Sequence, residues 1–339
     1  MDKKLKHVNI PIFIQHMGCP NKCVFCDQHA ISGTHSFDFD KVRRDIDEVL
    51  STAGGRECEI AYFGGSFTGI ERSLMIKLLD IAEDYVSGGK VCGIRMSTRP
   101  DYISPEITYI LHKYTITQVE LGIQSFSDKV LSQNKRGHDS KASLDACRLL
   151  KSEGFSFVGQ MMTGLAGADS ESEAETAEKI CELGADGARI YPCVVFRNTA
   201  LEEMTASGEY TPMTVDEAVE RSAKVLKVFI KHSVPVLKIG LHESENLHSE
   251  STYFAGPNHP ALGEMVRGRV YLDMILDELK DRDCAGKTVG ITVPSGAVSA
   301  AVGQHKANKL AIMEKTSAKC VKILENRDKK EYNISIEII

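Results

Sequence analysis

The sequence contains no long hydrophobic run, no low-complexity stretch and no long linker rich in proline or glycine. Its first seven residues are mostly charged or polar, and the apolar stretch Val8–Ile14 that follows is short and contains Asn9 and Pro11. These features predict neither a signal peptide nor a membrane span. We therefore expect a cytoplasmic protein with no membrane partner.

Positive charge is not in excess either, because 41 Lys and Arg stand against 47 Asp and Glu and give a formal net charge of −6. A chain with this balance is not built to coat nucleic acid, so any nucleic-acid contact must come from a local basic patch. The length of 339 residues allows one large domain with a small one, or a single barrel with an appendage.

Short strand-like segments alternate with amphipathic helices in the first 240 or so residues. Six successive strand–helix pairs predict an α/β fold with parallel strands, arranged as a partial TIM-like (β/α)6 barrel with its active residues at the carboxyl ends of the strands. A seventh strand, Val234–Leu241, either closes or extends this sheet. The six strands are predicted at His7–Gln15, Glu59–Phe63, Val91–Ser97, Gln118–Gln124, Ser156–Met162 and Ala188–Phe196.

The pattern changes after residue 244. We expect three parts: the barrel over residues 1–244, a connecting segment with a helix over 245–285, and a small α/β module over 286–339. The elements of that module are predicted at Lys287–Val293 (strand), Ser295–Ala301 (helix), Gly303–Lys306 (turn), Ala307–Lys315 (helix), Lys319–Leu324 (strand) and Tyr332–Ile338 (strand).

Ten cysteines in a chain expected to be cytoplasmic argue against disulfides and for metal or catalytic use of some of them. Cys19, Cys23 and Cys26 lie within eight residues directly after the first predicted strand. Three thiolates can ligate three irons of a cubane cluster and leave the fourth iron without a protein ligand. The alternative is a structural zinc site with His16 or His29 as fourth ligand, although such sites favour paired Cys-x2-Cys units and a second pair is missing. The remaining seven are interpreted as buried apolar residues: Cys58, Cys92, Cys147, Cys181, Cys193, Cys284 and Cys320.

The spacing Cys-x3-Cys-x2-Cys, with Phe25 before the last cysteine, resembles the signature of the radical S-adenosylmethionine (SAM) superfamily. The resemblance implies a radical SAM barrel whose three cysteines hold a [4Fe–4S] cluster. In that family the cluster receives an electron from a reductant such as ferredoxin or flavodoxin and cleaves SAM, which gives a 5′-deoxyadenosyl radical that abstracts hydrogen from a substrate.

Further positions match landmarks of the same family. The turn Gly64-Gly65-Ser66 after the second strand resembles the one whose backbone receives the SAM amine, and Ser97 stands where related proteins usually carry a glutamate for that amine. Gln124 resembles the ribose contact, and Arg136 the partner of the SAM carboxylate. The residues that the resemblance assigns to SAM are Phe25, Gly64, Gly65, Ser66, Ser97, Arg99, Gln124 and Arg136.

Within the family, the sequence most resembles the catalytic subunit of Elongator, which modifies tRNA wobble uridine, and oxygen-independent coproporphyrinogen oxidase. Two segments favour the Elongator side, Ser97–Asp101 and Arg189–Leu201, the latter with a Tyr-Pro pair and a following arginine. The cysteine spacing is more compact than in Elongator subunits, and no acetyltransferase domain is expected in the remaining residues. Candidates for the substrate side, near predicted strand ends, are Tyr191, Arg197, Lys238 and His242.

The order strand, helix, glycine turn, helix, strand in the last module is that of a KH domain, a small RNA-binding module. Residues 303–330 carry eight Lys or Arg against three Asp or Glu, which is a local basic surface suited to phosphates. Lys306 replaces the second glycine of the GXXG turn, and the alternative is a packing module with solvated lysines. The candidate RNA contacts are Gly303, His305, Lys306 and Lys309.

Three functions follow from these observations. The first is a radical SAM enzyme that modifies RNA, with tRNA as the expected partner. The second is a small-molecule or haem-related radical SAM enzyme similar to oxygen-independent coproporphyrinogen oxidase. The third is a cluster-bearing RNA-binding protein without catalysis.

Overall fold

The main sheet of the protein consists of seven parallel strands. The computed structural model describes residues 7–14, 16–19, 23–27, 37–241, 249 and 251–339. The sheet strands are β1 (Val8–Phe13), β2 (Cys58–Phe63), β3 (Gly93–Thr98), β4 (Ile116–Gln124), β5 (Phe157–Thr163), β6 (Gly187–Pro192) and β8 (Val236–Ile239), while β7 (Val195–Phe196) lies outside it. Strands β1 to β6 pair in chain order and β8 pairs with β6. The predicted partial (β/α)6 barrel is therefore confirmed, and the seventh strand extends the curled sheet rather than closing it.

Helices connect these strands and cover one face of the sheet. Five of the eight lie within a few residues of helices that the periodicity of the sequence predicts, whereas the short helices α3, α4 and α7 were not predicted. The predicted helices are Asp40–Thr52, Arg72–Val86, Ser140–Ser152, Glu171–Leu183 and Val215–His232. The bounds of the eight in the structure are α1 (Val42–Thr52), α2 (Arg72–Ser87), α3 (Pro105–Leu111), α4 (Asp128–Gln133), α5 (Ser140–Ser152), α6 (Ser170–Glu182), α7 (Ala200–Ala206) and α8 (Val215–Lys231). Helix α8 begins with a capping box between Thr214 and Glu217, which satisfies its first free N–H groups.

The two faces of the sheet differ in polarity because successive side chains in a strand point to opposite faces. Ile10, Ile60 and Ile94 are fully buried in the core beneath the helices. Charged residues at alternating positions, among them Arg95 and Glu120, face the concave side, where they are nonetheless buried. The concave face therefore holds polar groups that need partners.

The predicted strand Ala188–Phe196 is divided. Its first part is β6, which ends at Pro192, a residue without an N–H group to continue a ladder. The chain then forms β7, which pairs antiparallel with β9 (Tyr253–Ala255). Strand β9 lies in the connecting segment, where only a helix was predicted.

The C-terminal elements have the predicted order. Strand β10 (Thr288–Pro294) is the centre of a three-stranded sheet, parallel to β11 (Cys320–Asn326) and antiparallel to β12 (Ser335–Ile338). Helices α10 (Val298–Val302) and α11 (Ala307–Thr316) lie between β10 and β11. The three proposed domain boundaries stay a prediction.

Helix α9 (Leu262–Leu279) joins the two parts of the molecule. Val266 and Val270 near its beginning are buried in the barrel core. Ile275 and Leu279 near its end are buried in the core of the C-terminal module. The helix expected in the connecting segment is thus a packing element shared by both cores.

The seven other cysteines are mostly enclosed. Cys58, Cys147, Cys193 and Cys284 are buried, and two more are half-buried. Cys92 is exposed, so the expectation of burial was wrong for it. It lies just before β3 begins, where the chain is still at the surface.

None of the described helices is both long enough and apolar enough to cross a bilayer. The cytoplasmic location stays a prediction.

Candidate functional site

The three cysteines of the predicted cluster site follow β1 at the carboxyl edge of the sheet. Cys23 is buried, whereas Cys19 and Cys26 are half-buried, and none of the three forms a disulfide. The backbone N–H of Cys26 donates to the carbonyl of Cys23 at 3.1 Å, and that of Val24 donates to the carbonyl of Asn134 at 3.2 Å. These bonds hold the cysteine loop against the segment that follows α4.

The distances between possible ligand side chains were compared with those that a structural zinc site requires. A structural zinc ion requires thiolate sulfurs at about 2.3 Å from one point. Among the described residues, no three His, Cys, Asp or Glu side chains are grouped closely enough to share one ion. A cubane cluster places each thiolate on a different iron, so it needs a wider triangle. His29, one of the two candidate fourth ligands for zinc, lies outside the described residues.

The glycine turn after β2 packs directly on the cysteine loop. The N–H of Ser66 donates to the carbonyl of Met17 at 2.8 Å, and the N–H of His16 donates to the carbonyl of Gly64 at 2.9 Å. A Cβ added at Gly65 would lie 2.5 Å from the Met17 oxygen, so no larger residue fits. The turn thus supports the loop through its backbone, and the predicted contact of Gly64 and Gly65 with the SAM amine stays a prediction.

The end of β3 is tied to the same turn. The buried Ser66 hydroxyl lies 3.0 Å from the Thr98 hydroxyl and accepts the backbone N–H of Arg99 at 3.1 Å. The buried Arg99 guanidinium makes a two-bond ion pair with Asp101, at 2.9 and 2.8 Å. Ser97 is half-buried on the concave face. Of the predicted SAM residues here, Ser66 and Arg99 have protein partners for their side chains.

Arg136 brings the predicted SAM site and the predicted cluster site into contact. Its Nη1 donates to the Cys23 sulfur at 3.2 Å, and its Nη2 donates to the carbonyl of Gly122 in β4 at 2.7 Å. The residue is 7% exposed, and its Nε has no partner among the described residues.

Gln124 ends β4 in a left-handed conformation, with φ of +67°. It is buried, and its side-chain oxygen has no hydrogen-bond partner among the described residues. Phe25 is half-buried against a small apolar cluster that includes Val24. The predicted roles of both residues toward SAM stay predictions.

His138 was not singled out from the sequence, although it stands two residues after Arg136. Its side chain is fully buried, and neither ring nitrogen has a hydrogen-bond partner in the described part of the chain. Its Nδ1 lies 3.8 Å from Asp101, while burial and the nearby Arg136 lower its pKa to about 4. The ring is therefore neutral at physiological pH.

Unpartnered buried polar atoms at the carboxyl edge test whether a polar cofactor fits there. They include atoms of Gln124, Arg136 and His138. Leaving such groups without partners costs free energy, so a polar ligand bound here would stabilise them. A ligand with an amine, a carboxylate and hydroxyls, such as SAM, offers both donors and acceptors, and the residues present fit it.

The concave face of the sheet holds a buried ionic network. Glu120 in β4 lies 2.9 Å from Arg189 in β6 and 3.4 Å from Arg95 in β3. Arg95 also lies 3.6 Å from Glu59, and Arg189 donates to the Tyr191 hydroxyl at 3.4 Å. Sequence reasoning missed these three arginine–glutamate pairs, although polar residues at alternate positions of otherwise apolar strands were a signal for them.

The substrate-side candidates are dispersed. Tyr191 belongs to the concave face, and burial raises the pKa of its phenol. Lys238 lies in register beside Arg189 on the neighbouring strand. Arg197 lies after β7 and pairs with Glu202 at 3.3 Å, away from that network. His242 lies outside the described residues.

A cavity of about 400 Å³ opens beside β8, with Lys238 in its wall. Asn258, His259 and Glu264, at and before the start of α9, line its other side. The described residues of the cysteine loop are not among those that line this cavity.

The candidate RNA-binding turn precedes α11. Gly303 has φ of +75°, and an added Cβ would lie 2.8 Å from the backbone nitrogen of Asn308. His305 and Lys306 also have positive φ and are exposed, whereas Lys309 is half-buried. The turn therefore presents two basic side chains to solvent, and RNA binding stays a prediction.

Comparison with known families identifies the chain's core. The radical SAM superfamily model matches residues 14–180, and the model of the radical SAM C-terminal domain matches residues 185–271. The chain belongs to the radical SAM superfamily, and its cofactors are a [4Fe–4S] cluster and SAM. It is therefore an enzyme of that superfamily.

Several relatives match part of this chain. The tRNA uridine(34) acetyltransferase of Methanocaldococcus jannaschii is 36% identical over 128 residues, 37% of this chain and 24% of that protein. Human Elongator complex protein 3 is 34% identical over 140 residues, 40% of this chain and 26% of that protein. The chain thus spans about a quarter of the length of these two relatives.

Two longer matches exist. An uncharacterized protein of Methanocaldococcus jannaschii is 28% identical over 249 residues, which are 70% of this chain and 75% of that protein. The solved structure of Methanocaldococcus infernus Elp3, with its N-terminus deleted, has a TM-score of 0.62 at 22% identity and covers 81% of this chain and 64% of that chain. The second match shows that the two proteins share a fold.

Proposed function

We propose that the protein is a radical SAM enzyme that modifies tRNA. The observation that carries this proposal is the union of two parts in one packed molecule: a barrel similar to tRNA-modifying relatives, and a basic C-terminal module. Asn308 of the module donates its side-chain amide to the carbonyl of Gly268 in α9 at 2.8 Å. The module is thus anchored to the helix that the barrel core also buries.

In this proposal Cys19, Cys23 and Cys26 hold the cluster. When bound, the cluster supplies the single electron that cleaves SAM, and a reductant such as ferredoxin or flavodoxin is the expected partner. The described start of the loop that carries the cysteines is fixed by backbone bonds to Gly64 and Ser66.

The unpartnered groups at the carboxyl edge receive the polar parts of SAM. Gln124 offers a carbonyl oxygen that fits a ribose hydroxyl, and neutral His138 offers one donor and one acceptor. Both side chains are buried, so they would bind and orient the cofactor while excluding water from it.

The substrate side is assigned to the concave face. Glu120 fixes Arg189, and Arg189 in turn fixes the Tyr191 hydroxyl, which lies near the carboxyl end of β6. Lys238 lies on the neighbouring strand and provides a positive charge on the same side. These groups would orient a nucleotide for hydrogen abstraction.

The basic turn of the C-terminal module presents the RNA. His305 and Lys306 are exposed, and Lys306 and Lys309 make no ion pair among the described residues, so their charges remain available for phosphates.

The decisive experiment is mass spectrometry of nucleosides from tRNA and rRNA of a deletion strain. We expect one modified nucleoside to disappear from tRNA, and to return with the intact gene but not with a Cys23→Ala variant. An unchanged profile in both RNA classes would overturn the proposal. Porphyrin binding by the purified protein would instead support the haem-related alternative, and a failure to form 5′-deoxyadenosine under reducing conditions would support the non-catalytic one.

A further inference from the structure

The guanidinium of Arg136 is held from two sides. Its Nη2 donates to the carbonyl of Gly122, which belongs to the central strand β4, and its Nη1 donates to the sulfur of Cys23. The backbone N–H of Arg136 also donates to the carbonyl of Leu131 at 3.0 Å. With the backbone and one arm fixed, the other arm is directed at the thiol.

Arg136 differs from the second buried arginine near the loop. Arg99 is paired with Asp101 through two hydrogen bonds, so its positive charge is largely neutralised. Among the described residues, by contrast, no carboxylate lies within ion-pair distance of Arg136. A buried positive charge without a carboxylate partner acts on the nearest group that can carry negative charge, and here that group is the Cys23 sulfur.

Hydrogen bonds to ligand sulfurs and nearby charge are among the determinants of the reduction potential of an iron–sulfur cluster. Reduction adds one electron, supplied from outside, and this increases the negative charge on the ligand sulfurs. A charged N–H donor therefore stabilises the reduced state more than the oxidised state, and it raises the potential.

We propose that Arg136 positions Cys23 and raises the reduction potential of the cluster by donating a charged hydrogen bond to the Cys23 sulfur. This role rests on the proposed assignment of Cys23 as a cluster ligand, and it differs from the carboxylate contact that the family resemblance implies.

The test compares the reconstituted wild type with Arg136→Gln and Arg136→Lys, after iron and sulfide are quantified in each. The midpoint potential is measured without SAM, by a redox titration followed by electron paramagnetic resonance. We expect Arg136→Gln to lower the equilibrium constant for one-electron reduction about tenfold, which corresponds to about 59 mV. Arg136→Lys keeps the charge, so its midpoint potential should lie between those of the wild type and Arg136→Gln. Arg72→Gln removes a surface charge and should leave the midpoint unchanged.

Two outcomes would overturn the proposal. The first is a fully loaded Arg136→Gln protein with the wild-type midpoint. The second is loss of SAM affinity alone, because this would restrict Arg136 to the cofactor carboxylate. If Arg136→Gln fails to assemble a cluster, the midpoint potential of Arg136→Lys is compared with that of the wild type. A lower midpoint supports the proposal, and an equal one overturns it. Absence of a cluster from the wild type would defeat the cysteine assignment itself, and the tRNA nucleoside profile is independent of the Arg136 result.

Discussion

The backbone of Gly18 lies directly against the carbonyl group of Ser66: a Cβ at position 18 would overlap that oxygen and lie 2.7 Å from the carbonyl carbon of Gly69. Gly18 also has φ of +71°. Gly18→Ala should therefore push the cysteine loop away from the turn that supports it, with loss of iron binding and of stability. The measurements are iron content after reconstitution and the midpoint of thermal unfolding.

Gly55→Ala is the matched control for that change. Gly55 has φ of +73°, but nothing lies within 4 Å of an added Cβ. It should show only the cost of the left-handed backbone, about 1 kcal/mol. If the two variants bind iron equally well, the contact between the loop and the glycine turn is not needed for the cluster.

Single replacement of Cys19, Cys23 or Cys26 by Ala should abolish the cluster, because each removes one of three thiolate ligands. Iron content and visible absorption after anaerobic reconstitution measure this. Cys92→Ala, at an exposed cysteine, should retain both signals. A cluster that persists when any of the three is replaced would contradict the assignment.

Glu120→Gln should destabilise the barrel strongly. The carboxylate is 3% exposed and compensates two buried arginines, so its loss leaves both guanidinium groups without their shared partner. Breaking a buried pair in this way costs about 3–5 kcal/mol. The free energy of unfolding from urea titration measures it, with Glu182→Gln in an exposed pair as control, for which about 0–1 kcal/mol is expected. Equal effects of the two changes would argue against the network.

Stability should fall as the pH is lowered from about 6.5 towards 4. The folded protein holds His138 at a pKa of about 4, below the ordinary value for histidine, so in this window the unfolded chain binds a proton that the folded chain does not. The stability that the neutral ring retains above pH 6.5 is lost through this range. Urea unfolding of the reconstituted protein at several pH values tests this. His138→Gln should flatten the dependence, and an unaltered slope would assign it to other groups.

Lys306→Glu combined with Lys309→Glu should weaken tRNA binding and reduce the salt dependence of the affinity, since fewer phosphate counterions are released. Binding titrations at several salt concentrations measure both quantities. Lys141→Glu, on the exposed surface of α5, is the control for charge reversal. Formation of 5′-deoxyadenosine without RNA should not change. If the double variant binds tRNA as the wild type does, the module does not present the RNA through this turn.

The strands of the barrel were predictable because their apolar residues follow a clear local period. The predicted strand Glu59–Phe63, for example, contains all of β2 except its first residue, Cys58. The pairing of strands β7 and β9 was not predictable, because strands of two or three residues show no periodic pattern. The two strands also come from segments about 60 residues apart in the sequence. Proline at position 192 marked the end of β6, but nothing nearby indicated the antiparallel partner.

Only part of the candidate site was predictable from the sequence. The three cysteines and the glycine turn were visible because each motif is contiguous in the sequence. The contact between Arg136 and Cys23, by contrast, joins residues 113 positions apart, and the position of Glu120 between two arginines depends on the register of three strands. Such relationships are properties of the folded sheet, so the sequence held the residues without revealing their partners.

Helix α9 joins the basic turn to the barrel over a short distance. Asn308, two residues after Lys306, donates to the carbonyl of Gly268, and the flanking residues Val266 and Val270 are buried in the barrel core. A Cβ added at Gly268 would lie 2.8 Å from the carbonyl oxygen of Ala300 in α10. This glycine therefore allows the C-terminal module to approach α9 closely at the point where α9 packs into the barrel.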